Sequence, residues 1–150
     1  MTHGELPVPA HTNAAIRRIY EQWHQAVVTR DLEGLIALYA DHAILETPLI
    51  LVTLPDHNEG ILRGKPAIHA FFEAGLRKLP DNLGRWFRTD TFFSNDTRVT
   101  WEYPRDTPHG DQVDLVEVMD VADGLITHHR VYWGWVGFKS LVAAMDRSHV

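Results

Sequence analysis

The sequence predicts a single soluble α+β domain in which a curved, mostly antiparallel sheet wraps N-terminal helices around an aromatic-lined pocket. Three observations carry that expectation. Apolar residues recur at helical spacing in three segments of the first half, and the period changes to two from Arg85 onward. The inward positions of the later strands are rich in Trp and Tyr.

The first helix is predicted over Asn13 to Thr29, where Ile16, Ile19, Tyr20, Trp23 and Val27 make one apolar stripe and Asn13 caps the N-terminus. Asp31 caps a second helix with Leu35, Ile36, Leu38 and Tyr39 on its buried face, ending near Ala40-Asp41-His42. A short strand from Ala43 to Thr47 is ended by Pro48. The stretch from Leu49 to Arg63 reads as a long apolar connection, either a functional cover or a satellite of the core. Pro66 stands in the first turn of a third helix, with Ile68, Phe71, Phe72, Gly75, Leu76 and Leu79 on its apolar side. Four strands follow in a meander, over Arg85–Phe93, Arg98–Arg105, Gln112–Val121 and Leu125–Phe138. A closing helix is read from the spacing of Phe138, Leu141, Val142 and Met145. Residues 1–12 are expected to be a flexible arm, and residues 13–150 one domain.

Composition narrows the function. The 150 residues carry a net charge of -6, which disfavours a nucleic-acid partner, because phosphate recognition needs a basic surface. Without cysteine there are no disulfides, thiolate metal sites or cysteine nucleophiles, and a cytoplasmic setting is expected. No run approaches the roughly 20 apolar residues of a membrane span, so no membrane partner is expected. Although there are ten histidines, none stands at a chelating spacing, and His128 and His129 point to opposite faces of a strand. No metal, nucleotide or other cofactor is implied.

The chemistry-bearing residues follow from strand alternation. In Gln112–Val121 the odd positions form the core face with Val113, Leu115, Met119 and Val121, and Glu117 is the one carboxylate among them. Two hairpin registers were open for the strand that follows. A two-residue loop at Asp123-Gly124 sets Glu117 opposite Arg130, whereas a three-residue loop sets it opposite His129 and buries Leu125, Val131, Trp133 and Trp135. The second buries the more apolar face and is preferred. It makes Glu117 and His129 the candidate acid/base couple, with Trp23, Trp101, Tyr103 and Trp133 as aromatic walls. His24, beside Trp23, reads as a surface histidine. Val116, Val118, Ile126 and Tyr132 would leave an apolar patch on the outer sheet face, the basis for expecting a homodimer.

Three segments carry a family resemblance: Asp31 to Pro48 (DLEGLIALYADHAILETP), Leu62 to Phe72 (LRGKPAIHAFF) and Val116 to Trp133 (VEVMDVADGLITHHRVYW). With the element order, they resemble the SnoaL-like branch of the nuclear transport factor 2-like superfamily. The resemblance implies a cone-shaped fold that hosts isomerases, cyclases, hydrolases, dehydratases and non-catalytic proteins. It places Thr47 where ketosteroid isomerases carry their general base, and Trp23 and Glu117 where they carry oxyanion-binding groups. Val131 stands where SnoaL-type cyclases and limonene epoxide hydrolases carry an Asp. Thr47 and Val131 are thus expected to line the pocket without supplying an acid or base. Two functions remain: a cofactor-free acid/base enzyme acting on a compact apolar cyclic metabolite, or a ligand-binding or dimerisation module without turnover.

Overall fold

In the computed structural model, which describes residues 13–78, 92–103 and 114–147, the first helix, α1, runs over Ala14–Thr29. The Asn13 side chain accepts from the Ala15 N–H at 2.9 Å and closes its N-terminus. Ile16 and Ile19 are fully buried, each contributing about 1.5–3 kcal/mol, whereas the cap contributes about 1. The apolar stripe, more than the cap, holds this helix in place.

Asp31 caps α2 as expected, its carboxylate accepting from Gly34 N–H at 2.9 Å, but α2 spans only Leu32–Ile36. The chain then enters strand β1, Tyr39–Glu46, earlier than the helical spacing predicted. The reason is tertiary. The Leu38 carbonyl accepts from Ile126 N–H at 2.8 Å and Tyr39 pairs with Ile126, so sheet pairing replaces the helix's last turn. A register shift between Tyr39 and Ile44 leaves Asp41 and His42 exposed while Tyr39, Ala43 and Leu45 stay buried.

The apolar stretch 49–63 is not structureless. It contains the short helix α3, Ile50–Thr53, and strand β2, Ile61–Arg63, which pairs antiparallel with β1. Ile50 and Leu62 are buried in the main core. Helix α4 then runs over Lys65–Leu76 with Pro in its first turn and Phe71 and Phe72 buried.

The remaining described strands are β3, Phe93–Ser94; β4, Arg98–Tyr103; β5, Leu115–Ala122; and β6, Leu125–Trp133. Most of the strand expected over Arg85–Phe93, the arm 1–12 and the turn at 106–110 lie outside the described residues. The sheet order is β2-β1-β6-β5-β4-β3, with β1 and β6 parallel and every other neighbour antiparallel. This is the expected α+β architecture, a curved and unclosed sheet with helices packed against it.

The last hairpin departs from the preferred register. Ala122 pairs with Leu125 across a two-residue loop, and Asp123 and Gly124 both have positive φ, 51° and 74°, as a type I′ turn demands. A bulge follows at once: Val121 pairs with Ile126, but Asp120 pairs with His128, leaving Thr127 extra. That extra residue restores the parity that a two-residue loop alone would have reversed. His129, Val131 and Glu117 therefore share a face after all, but Glu117 stands opposite Val131 and His129 opposite Met119. Before the bulge the parity is inverted, so Ile126 is fully buried and does not belong to an outer patch.

β6 also ends sooner than expected. Gly134 N–H donates to the Asp114 carbonyl at 2.7 Å, and the Asp114 carboxylate accepts from Gly137 N–H at 2.8 Å. Those bonds start helix α5, Trp135–Arg147, in place of more strand. A Cβ on residue 134 would lie 2.2 Å from an Asp114 carboxylate oxygen, so a larger residue there would push the carboxylate out of its place at the start of α5. Trp135, expected on the buried face, is instead 67% exposed on this helix, stacked on Phe138.

Candidate functional site

The buried face of the sheet gathers one continuous polar chain inside an aromatic cluster. Glu117 on β5 is 6% exposed and His129 on β6 is 1% exposed. They are diagonal neighbours across the two strands, a spacing that long side chains bridge. Nε2 of His129 lies 2.5 Å from Oε2 of Glu117. On the other side of the ring, Nδ1 lies 2.8 Å from the Tyr39 hydroxyl, which accepts from Trp23 Nε1–H at 3.2 Å. Four elements, α1, β1, β5 and β6, thus each supply one member.

A second polar pair sits beside the first. His24 on α1 is buried, contrary to the surface position expected for it. Its Nδ1–H donates to the Tyr20 carbonyl at 2.8 Å, and its Nε2 lies 3.0 Å from the Tyr103 hydroxyl. Burial lowers the pKa of His24, opposed by the Tyr20 hydrogen bond and the charge of Glu117. A neutral ring with its proton on Nδ1 leaves Nε2 to accept, so Tyr103 O–H donates to it. Burial also raises the phenol pKa of Tyr39 and of Tyr103 well above the ordinary range, and the Glu117 charge adds to both shifts.

The ring walls come together around these groups. Trp23 and Trp101 have centroids 5.5 Å apart, Trp101 and Tyr103 6.3 Å, and Trp23 stands edge-on to His129 at 5.9 Å. Trp101 is directly opposite Glu117 in the β4–β5 register. Its indole N–H lies near the Tyr103 oxygen, a minor downward influence on that phenol, yet makes no well-formed hydrogen bond. Val131 and Trp133 are half-buried on β6. Thr47 is buried at the end of β1, and its hydroxyl accepts from Trp133 Nε1–H at 3.2 Å. A hydroxyl engaged this way and the apolar Val131 supply neither a carboxylate nor an imidazole to this face.

Tyr39 is the member of the buried chain that periodicity missed. Its i, i+3 and i+4 relation to Leu35 and Ile36 placed it on a helix, and only pairing with β6 brings its hydroxyl to His129. His24 and Tyr103 were each visible as singles, but their contact spans 79 positions and needs the fold.

Among the described residues no group of three His, Asp or Glu side chains is arranged to hold a metal ion. An open surface cleft is lined by Ile36, Asp41, Lys65, Pro66 and His69, none of which belongs to the buried chain. Among the described residues no helix is long and apolar enough to cross a membrane.

The SnoaL-like domain family matches residues 20–129, well over half of the sequence. The chain belongs to the SnoaL-like family. Several solved structures share its fold. A SnoaL-like protein of unknown function from Burkholderia thailandensis superposes with a TM-score of 0.63 at 22% identity, covering 83% of this chain and 99% of that one. A Bacillus subtilis protein whose isomerase assignment is provisional gives 0.62 at 18% identity, covering 87% and 94%. A computationally designed 17-OHP binder gives 0.58 at 18% identity, covering 83% and 94%. At these identities the likeness establishes the fold alone. No curated protein matches this chain in sequence.

Proposed function

We propose that this SnoaL-like protein is a cofactor-free acid/base enzyme of the isomerase, cyclase, hydratase or dehydratase type. Its substrate is a compact apolar cyclic metabolite held among Trp23, Thr47, Trp101, Tyr103, Val131 and Trp133. The observation that carries the reading is the hydrogen-bonded Glu117–His129 couple, buried on the concave side among large rings. Carboxylate and imidazole in a low-dielectric site can take a proton from one atom of a ligand and return it to another. Apolar walls suit a ligand that itself has few polar groups. The provisional isomerase and the designed 17-OHP binder among the structural neighbours support a small-molecule site in this fold.

The test begins with native mass spectrometry of the purified protein to identify a co-purifying small molecule. With that ligand in hand, Glu117→Gln should abolish turnover while changing its affinity little. Unchanged turnover in Glu117→Gln would refute the reading. Tight binding with no turnover by the wild type would favour a non-catalytic ligand-binding module of the same fold.

The same proposal includes a homodimer through the outer sheet face and a cytoplasmic setting. Half-buried Val116 and Val118 and a 58% exposed Tyr132 support the former, although Ile126 does not contribute. Sedimentation of a monomer at micromolar concentration would refute the dimer.

A further inference from the structure

We propose that Trp23 and Tyr39 are positioning residues that hold His129 with its single ring proton on Nε2, so that Glu117 is the group that takes a proton from the ligand. The inference rests on the acid/base reading of Glu117 and His129, and it assigns them unequal roles.

The direction of the chain follows from its one end. An indole N–H can only donate, so the Tyr39 oxygen is the acceptor of the Trp23 bond. The Tyr39 hydroxyl proton must then point elsewhere, and His129 Nδ1 lies 2.8 Å from that oxygen. Nδ1 can accept only if it is bare, which puts the ring proton on Nε2. Nε2–H in turn donates to Glu117 Oε2. In this arrangement every N–H and O–H donor of the chain has an acceptor. A proton on Nδ1 would instead give the Tyr39 oxygen two N–H donors and strand its own O–H. Tyr39 is fully buried, where an unsatisfied hydroxyl is costly.

The groups around His129 agree with this. Glu117 faces it from β5, Tyr39 from β1 and Trp23 from α1, with His24 on α1 and Tyr103 on β4 bonded to each other alongside. His128 and Arg130 lie on the opposite face of the strand, paired with Glu46 and Asp120. Within the buried chain the carboxylate is therefore met by a neutral donor. The bond to His129 engages Oε2 alone of the two carboxylate oxygens. A proton leaving a C–H or O–H of the ligand would rest on Oε1 and return to another atom of the same ligand, with no oxidant or second substrate required.

Nitrogen-detected NMR of uniformly labelled protein at about pH 8, where an ordinary histidine is neutral, reads the two ring nitrogens separately. His129 is assigned by its loss in His129→Gln. The expected wild-type signal is a bare Nδ1 and a protonated Nε2. On lowering the pH to about 6, Tyr39→Phe should increase the doubly protonated fraction of His129 several-fold over wild type, and Trp23→Phe should do so by less. A protonated Nδ1 in the wild type, or a Tyr39→Phe variant that titrates like wild type, would overturn the proposal. If Tyr39→Phe does not fold, the wild-type spectrum alone decides. A bare Nδ1 together with active Glu117→Gln would leave the lock standing and remove the acid/base reading. A protonated Nδ1 with inactive Glu117→Gln would do the reverse.

Discussion

His128 and His129 are adjacent on β6, each pairs with a glutamate, and they live in different solvents. His129 reaches Glu117 on the buried face, where both side chains are nearly inaccessible. His128 reaches Glu46 on the outer face, where both are about one-third exposed. The outer pair also belongs to a ladder across four strands. Arg130 donates to His128 Nδ1 at 2.9 Å and pairs with Asp120 at 2.9 Å, and Asp120 meets Arg98 at 2.5 Å. Strand alternation alone separates two identical residue pairs into a dry network and a wet one. Burial makes the inner pair expensive to break, whereas water and salt weaken the outer one.

The sharpest way to break this comparison is to truncate each histidine. His129→Ala leaves the Glu117 charge buried without its donor and should cost about 3–5 kcal/mol. His128→Ala should cost less than about 1 kcal/mol. Urea unfolding of the two variants checks both, and equal losses would mean that the two faces are not energetically distinct. Next in size is Tyr103→Phe, which deletes the O–H accepted by His24 Nε2 and should cost about 1–3 kcal/mol in the same measurement.

How much of this contrast was legible in the residues depends on the range of the interaction. The alternation of β5 was enough to mark Glu117 as an inward carboxylate, because side-chain direction within a strand is a local property. The shared face of Glu117 and His129 was also readable, since a three-residue loop and a two-residue loop plus a bulge give the same parity. For the same reason the register was not: nothing around Thr127 announces a bulge, so Val131, not His129, stands opposite Glu117. Tyr39 was invisible as a partner because its end of β1 is held by parallel pairing with a segment nearly 90 residues away. Trp135 continued an apolar alternation that the Asp114 cap cuts off. Local patterns carried the fold; the cross-strand bonds that complete the candidate site are non-local.

pH separates the faces further. His24 titrates lower in the folded protein than in the unfolded chain, chiefly because burial disfavours its charged form. Between the two values the unfolded chain binds more protons, so stability rises with pH across that window. This contribution is complete above the ordinary histidine value of about 6.5 and is lost as the pH falls below it. Unfolding free energy measured from about pH 7.5 down to 5 should therefore decline, and His24→Phe should flatten the decline. An unchanged slope in that variant would show that His24 is not the group responsible.

The smallest expected effect lies on the outer ladder and is distinguished by its salt dependence. Burial alone would raise the Asp120 pKa, but the hydrogen bonds and charges of Arg98 and Arg130 outweigh it and hold the carboxyl below its ordinary value. Its contribution is present above the unfolded carboxylate range and is lost as the pH falls through the lower folded value. Arg98 is more than half exposed, so counter-ions reach the pair and screen it. Arg98→Ala should shift the urea midpoint by less than any inner substitution, and the shift should vanish in about 1 M salt, where the Debye length is near 3 Å. The loss in His129→Ala should persist in the same salt, because no ion reaches a pair that the rings enclose. A salt-insensitive Arg98→Ala or a salt-sensitive His129→Ala would erase the distinction between the two faces.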